Sequence, residues 1–206
     1  MLVCGVDDAG RGSVLGPLVI AGILVERAKI KDLSKIGVKD SKLLSPHSRE
    51  TLYKKIISIV DDYYVARISP TIIDRSVSKN KLNDLEAKYM AKVIQRLKPN
   101  SAYVDSCDVN PTRFGIQISK LAKIKKIHSS HHADRRFPVV SAASIIAKVN
   151  RDRAIEKLRI DGDVGSGYPS DSKTMNFIRR HIELNGSPPK FARKSWKPVK
   201  IMLNQM

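Results

Sequence analysis

Four aspartates have the residue type and the placement that a divalent metal site requires. They stand at the ends of three predicted strands, Asp7 and Asp8 at the first, Asp105 at a later one and Asp134 just past another. A single aspartate at such a point is often only a turn cap. Because strand ends in an α/β sheet tend to converge on one crevice, we expect these carboxylates to gather there. Mg²⁺ or Mn²⁺, which prefer carboxylate oxygens, would relieve their mutual repulsion.

The charge of the whole chain points to a polyanionic partner. The 206 residues include 38 Lys and Arg against 20 Asp and Glu, a net charge of +18. Such a field favours nucleic acid, with membrane headgroups or plain solubility as the alternatives. Aromatic residues make up 5% of the chain, which favours backbone contact to a duplex over base stacking on single strands. An acidic metal pocket in a basic protein is the arrangement expected for phosphodiester hydrolysis with two metal ions.

Two other functions stay open at this stage. Paired histidines can cleave RNA without metal by acid–base catalysis through the 2′-hydroxyl, and the chain offers His128, His131 and His132. A basic duplex-binding protein without catalysis would explain the charge equally well. It would give no reason for aspartates at three strand ends.

The pattern of elements predicts an α/β fold. Strand-like segments at 2–7, 17–26 and 63–68 lead, and strands at 102–106 and 124–127 alternate with helices. Helices are predicted behind Ser45-Pro46, from Asn83 as the cap of a capping box, behind Asn110-Pro111 and over 139–149. A glycine-rich loop at 165–169 precedes a last helix and a basic end. We place a boundary near residue 165, with a catalytic domain over 1–165 and a helical substrate-binding segment over 166–206.

No segment of the sequence predicts a membrane span or a leader peptide. The longest apolar run, 16–25, is far short of the roughly 20 residues that a bilayer requires, and charged residues interrupt the N-terminus almost at once. We therefore expect a cytoplasmic protein that acts without a membrane.

Ordered motifs along nearly the whole chain resemble one family, type 2 ribonuclease H (ribonuclease HII), in its archaeal form. They are Asp7-Asp8-Ala9-Gly10-Arg11-Gly12, Gly16-Pro17-Leu18-Val19, Asp40-Ser41-Lys42, Tyr103-Val104-Asp105, His132-Ala133-Asp134, the run 141–149, and Gly165-Ser166-Gly167-Tyr168. The resemblance implies the ribonuclease H fold, a mixed five-stranded sheet flanked by helices with a helical C-terminal extension. It also implies cleavage of the RNA strand of RNA–DNA hybrids and of ribonucleotides embedded in duplex DNA, in replication and ribonucleotide excision repair.

The resemblance assigns the metal ligands and one departure from the family pattern. The four acidic ligands fall on Asp7, Asp8, Asp105 and Asp134, which would hold two ions of Mg²⁺ or Mn²⁺. The family's second acid is normally glutamate, whereas this chain has Asp8, one methylene shorter. The shorter side chain is expected to draw one ion inward, to bind through water or to weaken that site.

The resemblance also assigns substrate contacts. Gly10, Arg11 and Gly12 would pair with Tyr168 to read the ribose 2′-hydroxyl and the neighbouring sugar. Lys42 and Asn83 would contact the substrate backbone, as would three residues of the C-terminal segment, Arg193, Lys194 and Lys197. We expect a monomer. Some relatives end in a sliding-clamp peptide with paired aromatics, which residues 201–206 lack, so clamp recruitment is left undecided.

Overall fold

The computed structural model describes residues 1–38 and 45–204. The chain groups into two compact units, each assembled from several segments. Unit 1 comprises residues 1–9, 20–66 and 83–149, and unit 2 comprises residues 10–19, 67–82 and 150–206. The predicted boundary near residue 165 separates a catalytic domain from a substrate-binding segment. Because the fold does not test these roles, this division stays a prediction.

Five strands form one mixed sheet in the order β3-β2-β1-β4-β5. Their bounds are β1 Leu2–Ala9, β2 Leu18–Glu26, β3 Asp62–Ile68, β4 Ser101–Asp105 and β5 Ile127–Ser130. β1 pairs with β4 in parallel, and β4 pairs with β5 in parallel. Every residue of β2 except Glu26 is buried, as expected for a continuous apolar strand that is covered on both faces. The predicted α/β fold class is confirmed.

Helices follow the strands and supply the remaining layers. Their bounds are α1 Ile30–Lys35, α2 Pro46–Ile59, α3 Pro70–Val77, α4 Leu82–Leu97, α5 Pro111–Ala122, α6 Ala133–Arg136, α7 Pro138–Glu156, α8 Ser172–Asn185 and α9 Lys197–Asn204. The predicted caps of α2 and α5 are confirmed, since Ser45 accepts a hydrogen bond from the Ser48 amide and Asn110 from the Arg113 amide. No helix in the described ranges has the length and hydropathy that crossing a membrane requires.

Close packing of α7 on the sheet explains one glycine. A Cβ atom added at Gly5 in β1 would lie 2.1 Å from the Val139 carbonyl oxygen. The central strand therefore touches the backbone of α7, which is buried along most of its apolar length. This contact fixes the helix over the strand that leads to Asp7.

Two predicted elements were placed wrongly. The last strand runs over Ile127–Ser130 and not over 124–127, because its register is set by pairing with β4, where Ile127 lies opposite Ala102. The helix that Asn83 was predicted to cap already begins at Leu82. Asn83 is thus a residue of the first turn of α4, and its side chain has another partner.

Unit 2 has an apolar core of its own. Its fully or nearly fully buried members are Val14, Leu15, Ile155, Val164, Ile178, Ile182, Ala192 and Val199. Residues from the glycine-rich segment after β1, from the end of α7 and from α8 and α9 therefore pack together. The core gives the loops of this unit a rigid base.

Candidate active site

The ends of β1 and β4 bring two of the predicted ligands to one edge of the sheet. Val6 lies opposite Val104 in the parallel register, and the next step along both strands reaches Asp7 and Asp105. Parallel pairing makes both strands end in the same direction. The sheet therefore presents these two carboxylates side by side within unit 1.

A third carboxylate is tied to this edge by the backbone. The Ala133 amide donates a hydrogen bond of 2.6 Å to Oδ1 of Asp105, at the start of the short helix α6. The preceding residue, His132, has the left-handed φ of 53° that turns the chain into α6. Asp134, the second residue of α6, is buried, and its backbone carbonyl oxygen accepts a hydrogen bond from the Ser141 hydroxyl. These contacts hold Asp134 near the end of β4.

The surroundings of Asp7 disfavour its negative charge. Asp7 is 5% exposed. Burial, followed by repulsion from Asp105 and Asp134, raises the pKa of Asp7 from 3.8 to about 7. Hydrogen bonds from Ser144 and from the Asp8 amide, the latter 2.8 Å long, oppose that rise without cancelling it. Three of the four predicted ligands therefore interact electrostatically in unit 1.

The arrangement is not a closed metal cage. Within residues 1–38 and 45–204, no group of three or more His, Cys, Asp or Glu side chains is already drawn together closely enough to hold an ion. Asp8 is half-buried next to Asp7, and adjacent strand residues point to opposite faces. The carboxylates are thus close enough to repel one another but have not converged on one point.

The predicted ribose-reading loops lie together in unit 2. Gly10 has a φ of +84°, and its carbonyl accepts a hydrogen bond from the Ser13 amide, which closes a turn with Arg11 and Gly12 exposed at its tip. The Gly167 carbonyl accepts hydrogen bonds from the Val14 amide and the Ser13 hydroxyl at 2.8 and 2.7 Å. The loop before α8 is therefore fastened to the Gly10–Gly12 turn.

Arg151, which sequence reasoning missed, joins the same loops. Its guanidinium lies 4.3 Å from the centre of the Tyr168 ring and donates hydrogen bonds to the Ser13 hydroxyl and the Ser166 carbonyl. Arg151 is 4% exposed, so this cation lies inside the protein. The only feature of the sequence that could have pointed to this buried role is the position of Arg151 in the continuation of the predicted helix over 139–149, which is apolar nearly all round.

Arg193 does not have the predicted role of a contact to the substrate backbone. Its side chain is fully buried and donates hydrogen bonds to the carbonyls of Arg11 and Gly16, at 2.8 and 3.2 Å. The Arg193 amide also donates to the Val14 carbonyl. Arg193 therefore supports the glycine turn from within, and the substrate contacts of Lys194 and Lys197 stay predictions.

Asn83 donates a hydrogen bond of 3.2 Å to Asp108, which is also held by Arg113 and by the Asn110 amide. These bonds, with the Asn110 amide as the largest contributor, lower the pKa of Asp108. Asn83 thus links the start of α4 to the start of α5, whereas the predicted substrate contact stays a prediction. Lys42 lies outside the described residues.

The histidines have separate contacts. The His128 ring stacks on Tyr103 with 4.7 Å between ring centres, and Nδ1 of His131 lies 3.3 Å from the Ser106 carbonyl oxygen. Neither contact is a histidine pair of the kind that metal-free RNA cleavage requires. The carboxylates are therefore the better candidate for catalysis.

Comparison with known proteins decides the family. A family model described as ribonuclease HII matches residues 4–199. The chain belongs to the ribonuclease HII family. It is 54% identical over 202 residues to ribonuclease HII of Cenarchaeum symbiosum, with 98% of each sequence covered. As a member of this family it is an endoribonuclease, a hydrolase of the ribonuclease H type.

Solved structures of family members have the same fold. Ribonuclease H2 from Pyrococcus horikoshii OT3 matches with a TM-score of 0.94 and 44% identity, covering 100% of this chain and 98% of that one. Ribonuclease HII of Archaeoglobus fulgidus, in a complex with PCNA, matches with a TM-score of 0.89 and 40% identity over 96% of both chains.

Proposed function

We propose that this protein cuts the RNA strand of RNA–DNA hybrids, and ribonucleotides embedded in duplex DNA, by two-metal-ion catalysis. The observation that carries the proposal is the set of aspartates at the ends of β1 and β4 and in α6, within a family of endoribonucleases. The products would carry 3′-hydroxyl and 5′-phosphate ends. We also keep the cytoplasmic location and the monomeric state as predictions.

The donor set fits a pair of hard divalent cations. Asp7, Asp8, Asp105 and Asp134 supply only carboxylate oxygens, the ligands that Mg²⁺ and Mn²⁺ prefer. Burial and the neighbouring carboxylates raise the pKa of Asp7, and a bound cation would oppose both effects. Bound there, the ions would supply activation of the attacking water and stabilisation of the leaving oxygen.

The protein's own groups orient those ligands. The Ser144 side chain and the Asp8 amide hold the Asp7 carboxylate, and the Ala133 amide holds that of Asp105. Water would attack phosphorus in line and expel the 3′-oxygen, so that the phosphate stays on the 5′ side of the next nucleotide. The 2′-hydroxyl is then a recognition group and not the nucleophile.

Selection of ribose belongs, in this proposal, to the second unit. The exposed Gly10–Gly12 turn would approach the sugar edge in the shallow minor groove, with Tyr168 packed against the neighbouring sugar. Arg151 would keep the Tyr168 ring in place through the contact described above. Lys42 and Asn83 would contact the substrate backbone.

The decisive experiment uses a duplex with one embedded ribonucleotide, incubated with the protein and Mg²⁺, Mn²⁺ or a chelator. We expect cleavage only with a divalent ion, and end mapping should give 3′-hydroxyl and 5′-phosphate termini. Asp105→Asn should abolish it without loss of the fold. Cyclic 2′,3′-phosphate ends that form in chelator would instead assign the chemistry to the histidines, and binding without any cleavage would favour a duplex-binding protein.

A second experiment tests ribose selection. Tyr168→Ala should reduce cleavage at a single ribonucleotide much more than it weakens binding to all-DNA duplex, because a site built for a hydroxyl discriminates by up to about 10⁴-fold. Equal losses in both measurements would make this loop a general backbone contact. The Archaeoglobus fulgidus relative forms a complex with PCNA, and clamp recruitment is left undecided for this chain.

A further inference from the structure

A basic groove of about 630 Å³ lies in unit 1 between α5 and β5. Lys120, Lys125, His128 and Arg136 line it, and all four side chains are exposed. Among the residues that the structure describes, no Asp or Glu contributes to this lining. The groove therefore has the electrostatic character of an anion-binding surface.

The surrounding sequence strengthens that character. From Val109 to Ala133 the chain has no acidic residue and five basic ones, namely Arg113, Lys120, Lys123, Lys125 and Lys126. Of the acids near this segment, Asp108 is bonded to Arg113 and Asp84 accepts a hydrogen bond from Gln117, whereas Asp134 directly follows the segment. Lys120, Lys123, Lys125 and Lys126 are thus not balanced by carboxylates within their own segment.

The groove begins beside the carboxylates. β5 is the last strand in the sheet order, and its final residue, Ser130, lies opposite Asp105 in the register. The Ser106 amide donates a hydrogen bond of 3.0 Å to the Ser130 carbonyl. Neighbouring strands are about 4.8 Å apart, so this end of the groove is one strand away from the strand that carries Asp105.

Neutral donors supplement the cations. The first turn of α5, at Pro111 and Thr112, lines the groove, and the amino end of a helix favours phosphate. Thr112 is exposed and brings a hydroxyl to the groove, whereas Ser129 and Ser130 line it with their hydroxyls buried. Cations, a helix start and hydroxyls together are the usual partners of backbone phosphates.

We propose that this groove binds the phosphate backbone of the duplex that flanks the cleavage site. The inference rests on the proposed function and adds to it a contact that reads neither base nor sugar. Each strand of a duplex places a charge about every 3.4 Å of helix axis, so a strand that leaves the carboxylates across β5 brings several phosphates to these side chains.

The test compares two triple variants of equal charge. The groove variant is Lys120→Gln with Lys125→Gln and Arg136→Gln, and the control is Lys31→Gln with Lys54→Gln and Lys88→Gln, three exposed lysines on α1, α2 and α4. Affinity is measured in chelator, over a range of salt, for duplexes that carry one ribonucleotide at a fixed position. One duplex is full length, and two others are shortened by about one helical turn at either end.

We expect the groove variant to bind the full-length duplex about tenfold more weakly than the control does. Its plot of log affinity against log salt should be flatter by about 0.9 for each phosphate that the substituted side chains no longer neutralise. Shortening one particular end should weaken binding by wild type and control but leave binding by the groove variant unchanged, since that variant no longer holds the phosphates at that end.

Equal reductions of affinity in the two variants, or a groove variant that still responds to shortening as wild type does, would overturn the proposal and leave the groove to an acidic protein partner. Thermal unfolding checks that both variants are folded. Because no metal is present, this result is independent of metal-dependent cleavage. Failure of the proposed nuclease activity would appear only in the ribonucleotide assay.

Discussion

Asp7 is buried among carboxylates that repel it, a position that costs stability in a protein without bound metal. Its place at the end of β1 was predictable, because an aspartate after an apolar strand is visible in the sequence. The partners that orient it were not, since Ser144 lies far along the chain on α7. Arg193 shows the same limit, because its type and position suggest a surface cation whereas it is fully buried.

Asp8→Glu should retain cleavage and raise it at low metal concentration. The longer side chain restores the reach of the family residue, and Mg²⁺ tolerates little departure from octahedral geometry at about 2.0 to 2.1 Å. We expect the half-saturating Mg²⁺ concentration to fall by up to about tenfold, measured by initial rates across a metal titration. Asp8→Asn, which removes the charge, is the matched control and should raise that concentration. A folded but inactive Asp8→Glu protein would show that the pocket is adapted to aspartate.

Gly12→Ala should reduce cleavage at a single ribonucleotide by about 10²-fold while leaving the protein as stable as before. A Cβ atom at Gly12 meets nothing within 4 Å, so its only consequence is to hold the turn away from the sugar. Gly10→Ala is the contrasting variant, because a φ of +84° and a Cβ 3.0 Å from the Pro17 carbonyl should destabilise the fold by about 1 kcal/mol or more. Cleavage rates and unfolding curves measured together separate the two effects. Wild-type cleavage by Gly12→Ala would remove this turn from ribose selection.

Between elements, Asp108 is the point where the starts of α4 and α5 are joined. The capping-box pattern at Asn83 predicted a helix but misplaced its start, and the hydrogen bond from Asn83 to Asp108 is a tertiary contact that no local pattern contains. The shift of β5 has a similar cause. An edge strand needs no apolar pattern on two faces, so pairing with β4 decides its bounds. Strands buried on both sides, such as β2, were predicted well for the opposite reason.

Asp108→Asn should lower the stability of the protein at neutral pH by about 1 to 3 kcal/mol, since it weakens charged hydrogen bonds to Arg113 and the Asn110 amide. The pKa of Asp108 is lowered in the folded state, so its stabilisation is present above the ordinary value of 3.8 and is lost as pH falls through the lowered pKa. Unfolding free energies measured from neutral to acid pH should therefore converge for variant and wild type at the acid end. Asp32→Asn, at an exposed pair on α1, should change little. A constant difference at all pH values would contradict this account.

Across the whole molecule, binding and catalysis draw on opposite charges. Lys and Arg exceed Asp and Glu by 18, whereas the candidate catalytic groups are all carboxylates. Asp134→Asn should therefore abolish cleavage but bind hybrid and DNA duplexes at least as tightly as wild type. For a protein that contacts about six phosphates, affinity should fall by about 10³-fold between about 50 and 200 mM salt. Filter binding at several salt concentrations checks both statements, and a large loss of affinity in Asp134→Asn would mean that metal, and not the basic surface, holds the duplex.

Arg193 also bears on the order in which parts of the protein form during synthesis, because the chain is made from its amino end and Arg193 is added late. The carboxylate site draws on unit 1, which is complete at residue 149. The turn at residues 10–12 receives its internal support from a side chain 182 residues further along. A nascent chain would thus possess its candidate catalytic carboxylates before the turn that we propose to read ribose is supported by Arg193. We expect discrimination between ribose and deoxyribose to be the last property this protein acquires during synthesis.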